Sequence, residues 1–220
     1  MPKITSVEPQ QRNPKRFNIF LDGKFAFGAD ADLVVNRRLV VGKIIAPQDL
    51  EKILFETEVG KLMERMYRLF SLRARSEQEV RNYLRQLSFK RKTKGQEEIS
   101  GIAVDMLINN LKNKAMLNDL EFARSWVESR KKKKGKRLIK QELIQKGINK
   151  EIIEEILNDS NHLNRVDEQK VAENLIEKKM KIWKNLSSLE FKKKAYDFLM
   201  RRGFDWEIVR YVIENILKKV

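Results

Sequence analysis

The chain has 220 residues, of which 41% are hydrophobic, and its 47 Lys and Arg residues against 31 Asp and Glu give a formal net charge of +16. This apolar content supports a folded core, and the absence of cysteine excludes a disulfide framework, a thiolate nucleophile and a cysteine-ligated metal site. The excess of cations favours a polyanionic partner, either nucleic acid, an acidic protein surface or anionic lipid, although a basic surface kept only for solubility is the alternative.

The N-terminal part is predicted to form a β-hairpin module. Residues 16–21 alternate between polar and apolar, Asp22-Gly23 is a strong type I′ turn signal, and residues 24–27 resume the extended pattern. A short helix is expected over 30–38. The chain start lacks the layout of a signal peptide, and no apolar stretch approaches the ~20 residues of a membrane span, so we expect a cytoplasmic protein.

Beyond residue 50 the apolar period changes from 2 to 3.6, and one pattern occurs three times. Each copy has three apolar residues spaced four and then five positions apart, and the copies follow one another at offsets of 59 and 56 residues. Apolar spacing of 3 and 4 is what a buried helix face requires, so these repeated apolar positions are expected to be core. They are Val80, Leu84 and Phe89, then Ile139, Leu143 and Ile148, then Ala195, Leu199 and Phe204.

Capping signals predict where the helices begin and end. Gly147 and Gly203, each followed by an apolar residue, predict left-handed C-caps. A Ser or Asn followed three residues later by Glu is a capping box, and each copy is expected to form three helices. The three boxes are Ser76 with Glu79, Asn118 with Glu121, and Ser187 with Glu190.

These patterns predict a mainly α protein, with three tandem three-helix repeats in an elongated array behind a small β-hairpin and helix module. A repeat that cannot bury its apolar face alone must stack on its neighbours, so matching basic positions should line up along one face. The expected boundaries are 1–48 for the N-terminal module, 49–117 for repeat 1 with a polar, basic insertion at 90–100, 118–160 for repeat 2 and 161–220 for repeat 3.

No residue pattern supports catalysis. The single histidine, His162, lies in a polar stretch between repeats 2 and 3, where an imidazole has no evident partner. Neighbouring carboxylates such as Glu154 and Glu155 point apart on a helix, and the glycines form no phosphate-binding fingerprint. We therefore expect no catalytic residue, no cofactor and no metal, in a protein that is not an enzyme.

The strongest local signal is basic. Eight of the eleven residues 130–140 are Lys or Arg and none is acidic, which concentrates positive potential that phosphates could neutralise with release of counterions. A solvated basic face without a ligand is the alternative. The candidate binding residues are Arg130, Lys131, Lys132, Lys133, Lys134, Lys136, Arg137 and Lys140 in repeat 2, Arg73, Arg75, Arg81 and Arg85 in repeat 1, and Lys192, Lys193, Arg201 and Arg202 in repeat 3.

The three tryptophans give no sign of base-specific reading. Trp126, Trp183 and Trp206 occur at helical core spacings and are expected to pack inside the fold rather than to stack on bases. Binding should therefore be directed to the phosphate backbone, with strong dependence on salt and weak dependence on sequence.

Four short motifs occur in a specific order and spacing. They are Arg73-Ala74-Arg75-Ser76 with Glu79-Val80 and Leu84; Leu117-Asn118-Asp119 with Phe122-Ala123; Gly135 with Ile139, Glu142-Leu143 and Lys146-Gly147-Ile148; and Arg201-Arg202-Gly203-Phe204. Together they resemble the bacterial RecX family. The resemblance covers about residue 62 to the C-terminus, the hairpin looks like the extension of longer members, and the departures are the insertion at 90–100 and the linker at 158–164.

The resemblance implies a regulator of the RecA recombinase that acts in homologous recombination, DNA repair and the SOS response. Members are built from tandem three-helix units, bind in the groove of the RecA–single-stranded DNA filament, limit its growth, ATP hydrolysis and strand exchange, and are not enzymes. The implied partners are the RecA filament and single-stranded DNA, with weak, nonspecific contact to double-stranded DNA, and we expect a monomer with no membrane partner. Replacing Lys133, Lys136, Arg137 and Lys140 with Ala should weaken binding and flatten its salt dependence.

Two other interpretations remain open. A general, sequence-nonspecific nucleic-acid-binding module without a recombinase partner would show no preference for RecA-coated over naked single-stranded DNA. A protein-only adaptor, whose cations meet acidic partners, would act on the filament with negligible affinity for free DNA.

Overall fold

The computed structural model describes residues 1–11, 13–158 and 165–219. Within these ranges the chain is mainly α-helical with one small antiparallel sheet, which confirms the predicted fold class. The chain divides into two compact units: the first comprises residues 1–74 and 81–117, and the second residues 75–80 and 118 onward. His162 and the linker around it lie outside the described residues.

The N-terminal module is built on the strands β1 (Ile4–Gln10), β2 (Asn13–Leu21) and β3 (Lys24–Asp30), in the order β1-β2-β3. The predicted hairpin is the pair β2 and β3. Asp22 and Gly23 turn the chain with φ of +48° and +80°, the two positive values that a type I′ turn requires. The sequence does not predict β1, because Pro9 and a polar composition obscure its pairing with β2.

Helices complete the first unit. Asp30 begins the first of them by accepting the Leu33 amide at 2.8 Å, and Pro47 begins the second at a position where its missing N–H costs no hydrogen bond. The side chains of the sheet, of the first helix and of Ile53 share one core. The helices are α1 (Ala31–Asn36), α2 (Pro47–Leu72), α3 (Glu77–Lys92, of which the residues before Arg81 belong to the second unit) and α4 (Gly101–Asn113).

The first copy of the repeated pattern departs from the prediction. Val80 and Leu84 are buried, but Phe89 is 65% exposed, so its predicted core position is wrong. The later copies end their helix with a glycine just before the third apolar residue, whereas Ser88 stands there in the first copy. Consequently α3 continues through part of the predicted insertion and places Phe89 on the helix surface. Ile99 is buried instead, and its amide donates to the Ser88 hydroxyl at 3.0 Å.

The end of α4 carries a strained residue. Ala115 has φ of +53°, in the left-handed region, while the next amide, that of Met116, donates back to the Leu111 carbonyl at 3.0 Å. Glycine adopts this conformation without a Cβ penalty. We expect Ala115→Gly to raise the free energy of unfolding by about 0.5–1 kcal/mol. Urea denaturation checks this; an unchanged or lower midpoint would show that Ala115 is not strained.

The second unit contains two three-helix groups, each with its own core. The six predicted core positions of these two groups are buried, which confirms the prediction for Ile139, Leu143, Ile148, Ala195, Leu199 and Phe204. The helices are α5 (Asp119–Arg130), α6 (Lys136–Gln145) and α7 (Lys150–Asn158) in one group, and α8 (Arg165–Met180), α9 (Ser188–Arg201) and α10 (Trp206–Lys219) in the other. None of the described helices is both long and apolar enough to cross a membrane.

The predicted C-caps are confirmed at α6 and α9. Gly147 and Gly203 have φ of +73° and +82°. The residue after each glycine donates its amide back into the last helical turn, from Ile148 to the Leu143 carbonyl at 3.1 Å and from Phe204 to the Leu199 carbonyl at 3.3 Å. The chain therefore folds back at once, and the third apolar residue of each pattern enters the core beside the first two. Ser187 and Glu190 form the predicted reciprocal capping box of α9.

Candidate nucleic-acid interface

Residues 130–140, here called the basic corner, join α5 to α6. Arg130 closes α5, and Gly135 is the N-cap of α6 with φ of −78° and ψ of 163°. The residues between them turn the chain, and the Lys133 carbonyl accepts a hydrogen bond from Arg202 Nη1 at 2.9 Å. The turn that carries most of the lysines is thus bound to the C-terminal end of α9.

Part of the basic corner is neutralised by acids of the same helices. Glu142 of α6 accepts from the Trp126 indole at 3.0 Å, binds the Lys134 ammonium, and forms an ion pair with Arg130 Nε at 2.9 Å that lacks hydrogen-bond geometry. The Arg130 guanidinium also lies over the Trp126 ring, 3.3 Å from its centroid. Arg130 and Trp126 thus hold α5 against α6, and Lys134 ties the turn between them to the same carboxylate. Lys131 pairs in the same way with Glu128 of its own helix, at 2.6 Å.

The partners of Glu142 change its acidity. Burial acts to raise the pKa of this carboxyl, but hydrogen bonds from Lys134 and Trp126 and the charges of Lys134 and Arg130 outweigh burial, so the pKa lies below its ordinary value. A carboxyl whose pKa is depressed by folding stabilises the native state above its unfolded pKa. That contribution is lost as the pH falls through the folded pKa.

We expect Glu142→Gln to lower the melting temperature at neutral pH, because Lys134 and Arg130 lose their carboxylate. The difference from the wild type should shrink as the pH falls through the lowered pKa of the native Glu142 carboxyl, because the wild-type carboxylate is then itself protonated. Thermal unfolding followed by circular dichroism at several pH values measures both trends. Glu51→Gln, at an exposed glutamate of α2, is the control and should change little. A loss that stays constant at every pH would contradict the ionic role of Glu142.

The N-terminus of α6 packs against the C-terminus of α9, a contact here called the joint. The Gly135 amide donates to the Arg202 carbonyl at 2.9 Å, and the Arg137 amide donates to the Gly203 carbonyl at 3.2 Å. Free amides at a helix start carry partial positive charge and free carbonyls at a helix end carry partial negative charge, so each satisfies the other. The joint fixes the basic corner relative to α9.

A carboxylate completes the joint. Glu168, in the first turn of α8, is 5% exposed and accepts the Lys136 amide at 2.6 Å. Burial raises the pKa of Glu168, and the charge of Asp205 adds to this effect, although the Lys136 amide opposes it. The acid therefore serves as a buried cap for α6.

A related contact between equivalent positions occurs a second time within this unit. The Ser76 hydroxyl donates to the carbonyl of Lys146, the last residue before Gly147, at 2.7 Å. Asp119 accepts the Glu77 amide at 2.9 Å, as Glu168 does for Lys136. Ser76 occupies the position of Gly135 in the repeated pattern and Lys146 that of Arg202, so equivalent positions meet in both copies, through a serine side chain in one and a glycine backbone amide in the other.

The remaining candidates of the second unit fall into two groups, those without an acidic partner and those that contact neutral groups. Lys132, Lys133 and Lys140 are exposed and have no acidic partner among the described residues, and the same holds for Lys192 and Lys193 in the first turns of α9. These two lie about 15 Å along the helix from the joint. The others make neutral contacts: Lys136 with Asn158, Arg137 with the Met200 carbonyl, Arg201 with the Asp197 carbonyl, and Arg202 with the Lys133 carbonyl and the face of Phe198.

The candidates near α3 are mostly held by local partners. Arg81 forms an ion pair with Asp105 at 2.9 Å, and Arg85 lies 3.4 Å from the Asn82 side chain. Arg73 donates to the Ala74 carbonyl at 2.9 Å, and Arg75 is half-buried. These contacts do not favour them as free phosphate ligands.

Two tryptophans pack as predicted and one does not. Trp126 stacks on Phe122, and Trp183 meets Phe191 and Phe198 edge to face. Trp206 is 55% exposed and lies tilted against Tyr196 with ring centroids 5.0 Å apart, so its predicted core position is wrong. It is the first residue of α10, ahead of the buried stripe that begins at Ile208. Among the residues that the structure describes, no group of three His, Cys, Asp or Glu side chains could hold a metal ion.

Family models match three segments of the chain. The model described as the regulatory protein RecX N-terminal domain matches residues 2–46, that of the RecX second three-helix domain matches 118–157, and that of the RecX third three-helix domain matches 167–213. These matches cover the sheet module and both helical groups of the second unit.

Similar full-length proteins carry the same description. The chain is 34% identical to "Regulatory protein RecX" of Bacillus subtilis over 218 residues, which is 98% of this chain and 78% of the relative. It is 33% identical to that of Listeria monocytogenes over 213 residues, 94% of this chain and 73% of the relative. A crystal structure of regulatory protein RecX, at 23% identity, has a TM-score of 0.75 over 97% of this chain and 100% of its own, and supports the fold.

Proposed function

Because the chain belongs to the RecX family of regulatory proteins, we propose that it regulates the RecA recombinase as an inhibitor. In this role it binds the RecA filament on single-stranded DNA within the filament groove and limits filament growth, ATP hydrolysis and strand exchange. It acts in the cytoplasm as a monomer, in recombination, DNA repair and the SOS response, and it needs no catalytic residue or cofactor.

The observation that carries the proposal is the set of cations left without acids. Lys132, Lys133 and Lys140 lie on the basic corner, where the neighbouring acids are already taken by Arg130, Lys131 and Lys134. Exposed ammonium groups of this kind exchange their counterions for phosphates, and the released counterions supply binding free energy. We therefore propose these three lysines as the DNA-phosphate ligands.

The joint supports binding by holding the cations in place. Arg202 fixes the Lys133 carbonyl, and Gly135 and Glu168 fix the start of α6 beside it. Because the backbone of the basic corner is already ordered, the protein loses only the freedom of its lysine side chains when a ligand binds. Less of the interaction energy is therefore spent on ordering the protein. Exposed lysines on an ordered frame suit a regular polyanion such as filament DNA.

Inhibition follows from occupancy without any chemistry by this chain. A protein that binds neighbouring RecA subunits and the DNA between them opposes the subunit movements that accompany ATP turnover. It can shift the equilibrium between two filament states only by as much as its affinities for those states differ. The proposal therefore requires tighter binding to the filament than to its separate components.

A binding comparison tests the proposal. Fluorescence anisotropy is measured for a labelled oligo(dT), either naked or coated with RecA and a slowly hydrolysed ATP analogue, at matched salt. We expect tighter binding to the coated strand by a factor of at least about ten, equivalent to 1.4 kcal/mol. Equal affinity for both would contradict the proposal and support a general nucleic-acid-binding module. Binding confined to the coated strand would support a protein-only adaptor.

A further inference from the structure

Exposed aliphatic side chains cluster on one short segment of the N-terminal module. Val35 is 72% exposed, Val40 59%, Val41 64% and Ile44 59%. Residues 35–44, here called the aliphatic loop, follow the buried part of α1. Soluble monomers seldom expose several large aliphatic residues together unless the surface binds a partner.

The aliphatic loop is held by its backbone. The Lys43 amide donates to the Val40 carbonyl at 3.1 Å, which closes a turn with Val41 and Gly42 at its tip. Gly42 has φ of +91°, a value that glycine adopts freely at the third position of a type II turn. The Gly42 amide donates to the Ile4 carbonyl and the Ile4 amide to the Lys43 carbonyl, both at 2.8 Å. The turn is thus fixed to β1, and its valines are presented on an ordered backbone.

The charges of the aliphatic loop have one sign. Residues 35–44 include Arg37, Arg38 and Lys43 and contain no acid. Arg37 is paired with Glu56 of α2, whereas Arg38 is exposed and has no acidic partner among the described residues. Lys43 Nζ donates to the Arg37 carbonyl at 2.5 Å, which leaves its charge unneutralised. The aliphatic side chains are therefore bordered by positive charge.

These features select one kind of occupant. Proteins stack bases chiefly on aromatic rings, and the loop has none. Membrane-interface segments typically carry Trp or Tyr, which are also absent. A second copy of this chain in a two-fold contact would bring identical cations together. We propose that the aliphatic loop docks onto a protein surface that has an apolar depression bordered by carboxylates.

This inference rests on the proposed function, because the partner on which it is tested is the RecA filament. It adds a protein-binding surface in the first unit to the phosphate-binding lysines of the second. The two surfaces then bind different parts of the filament: the aliphatic loop binds protein, and the basic corner binds the DNA backbone.

The test compares aspartate substitutions at two exposed aliphatic positions. Val41→Asp places a negative charge at the tip of the turn, where it meets an acidic partner. Ile102→Asp is the matched control, since Ile102 is 74% exposed and lies in the first turn of α4, where aspartate is tolerated. We expect Val41→Asp to weaken binding to RecA-coated oligo(dT) at least about tenfold. Binding to naked oligo(dT) should be unchanged for both variants, and Ile102→Asp should bind the filament as the wild type does.

Further measurements separate the alternatives. Val41→Lys should weaken filament binding less than Val41→Asp, because lysine suits an acidic rim; the reverse order would overturn the inference. Wild-type filament binding that Val41→Asp leaves unchanged would overturn the docking surface alone, whereas absence of wild-type filament binding would overturn the proposed function with it. Light scattering that shows a wild-type dimer lost in Val41→Asp would assign the loop to a second copy. Loss of binding to phosphatidylglycerol vesicles would assign it to lipid.

Discussion

Gly135→Ala is expected to lower the free energy of unfolding of the second unit by about 2–3 kcal/mol. A methyl group at this position would lie 2.5 Å from the Phe204 amide nitrogen and against the Gly203 carbonyl. Both obstacles are backbone atoms, which cannot move aside as a flexible side chain would. Since the φ of Gly135 is negative, alanine can adopt the local backbone conformation without strain. The expected loss of stability therefore comes only from the steric clash between α6 and α9 at the joint.

Gly101→Ala is the control for this prediction. Gly101 begins α4, and an added methyl group there meets no atom within 4 Å. The control should therefore be neutral or slightly stabilising, because alanine loses less backbone entropy on folding. Urea denaturation followed by circular dichroism measures both variants. Equal midpoints for the two would show that the α6–α9 contact opens without cost, and would contradict the preorganised corner.

Replacing Lys132, Lys133 and Lys140 with Ala is expected to weaken binding to RecA-coated single-stranded DNA by about a hundredfold near 0.1 M salt. If each lysine neutralises one phosphate, the slope of log affinity against log salt should fall by about 2 units, at roughly 0.7 per phosphate for a single strand. This set excludes Lys136 and Arg137, whose side chains contact Asn158 and the Met200 carbonyl. Their replacement would mix loss of charge with loss of structure.

The control is a triple variant with the same change in net charge in the first unit. Lys24, Lys52 and Lys94 are exposed, and their replacement with Ala removes three positive charges that are not part of the basic corner. Anisotropy titrations at several salt concentrations should give a nearly unchanged slope for this variant. Equal losses in the two triple variants would mean that only net charge matters, and would remove the assignment of the corner.

Periodicity and capping residues predicted the second unit well, because each depends on local chemistry. An apolar residue after a glycine C-cap folds back onto its own helix, so Ile148 and Phe204 could be placed in the core from sequence alone. The same rule explains the failure at Phe89. No glycine precedes Phe89, and α3 therefore continues past it. The sequence itself shows that no helix stop signal precedes Phe89. This missing signal decides the position of Phe89 more strongly than the matching spacing does.

The charge pattern predicted the site less completely, since ion pairs form across turns that the sequence does not show. The acid that binds Arg130 and Lys134 is Glu142, which lies just beyond the basic run. A count of charges within the run therefore overstates its free cations. The joint was also hidden, because it links residues far apart in the chain. Its one local sign is the glycine at the N-cap of α6, where the close approach of another backbone segment leaves no room for a Cβ. The first copy has Ser76 at the equivalent position.

The most direct test of the central claim is the rate of ATP hydrolysis by RecA on single-stranded DNA, titrated with this protein. We expect ATP turnover to fall to a low plateau as the protein saturates the filament. The variant lacking Lys132, Lys133 and Lys140 should need a much higher concentration to reach the same inhibition. Unchanged ATP turnover at protein concentrations that saturate the filament would contradict the proposed inhibition of RecA.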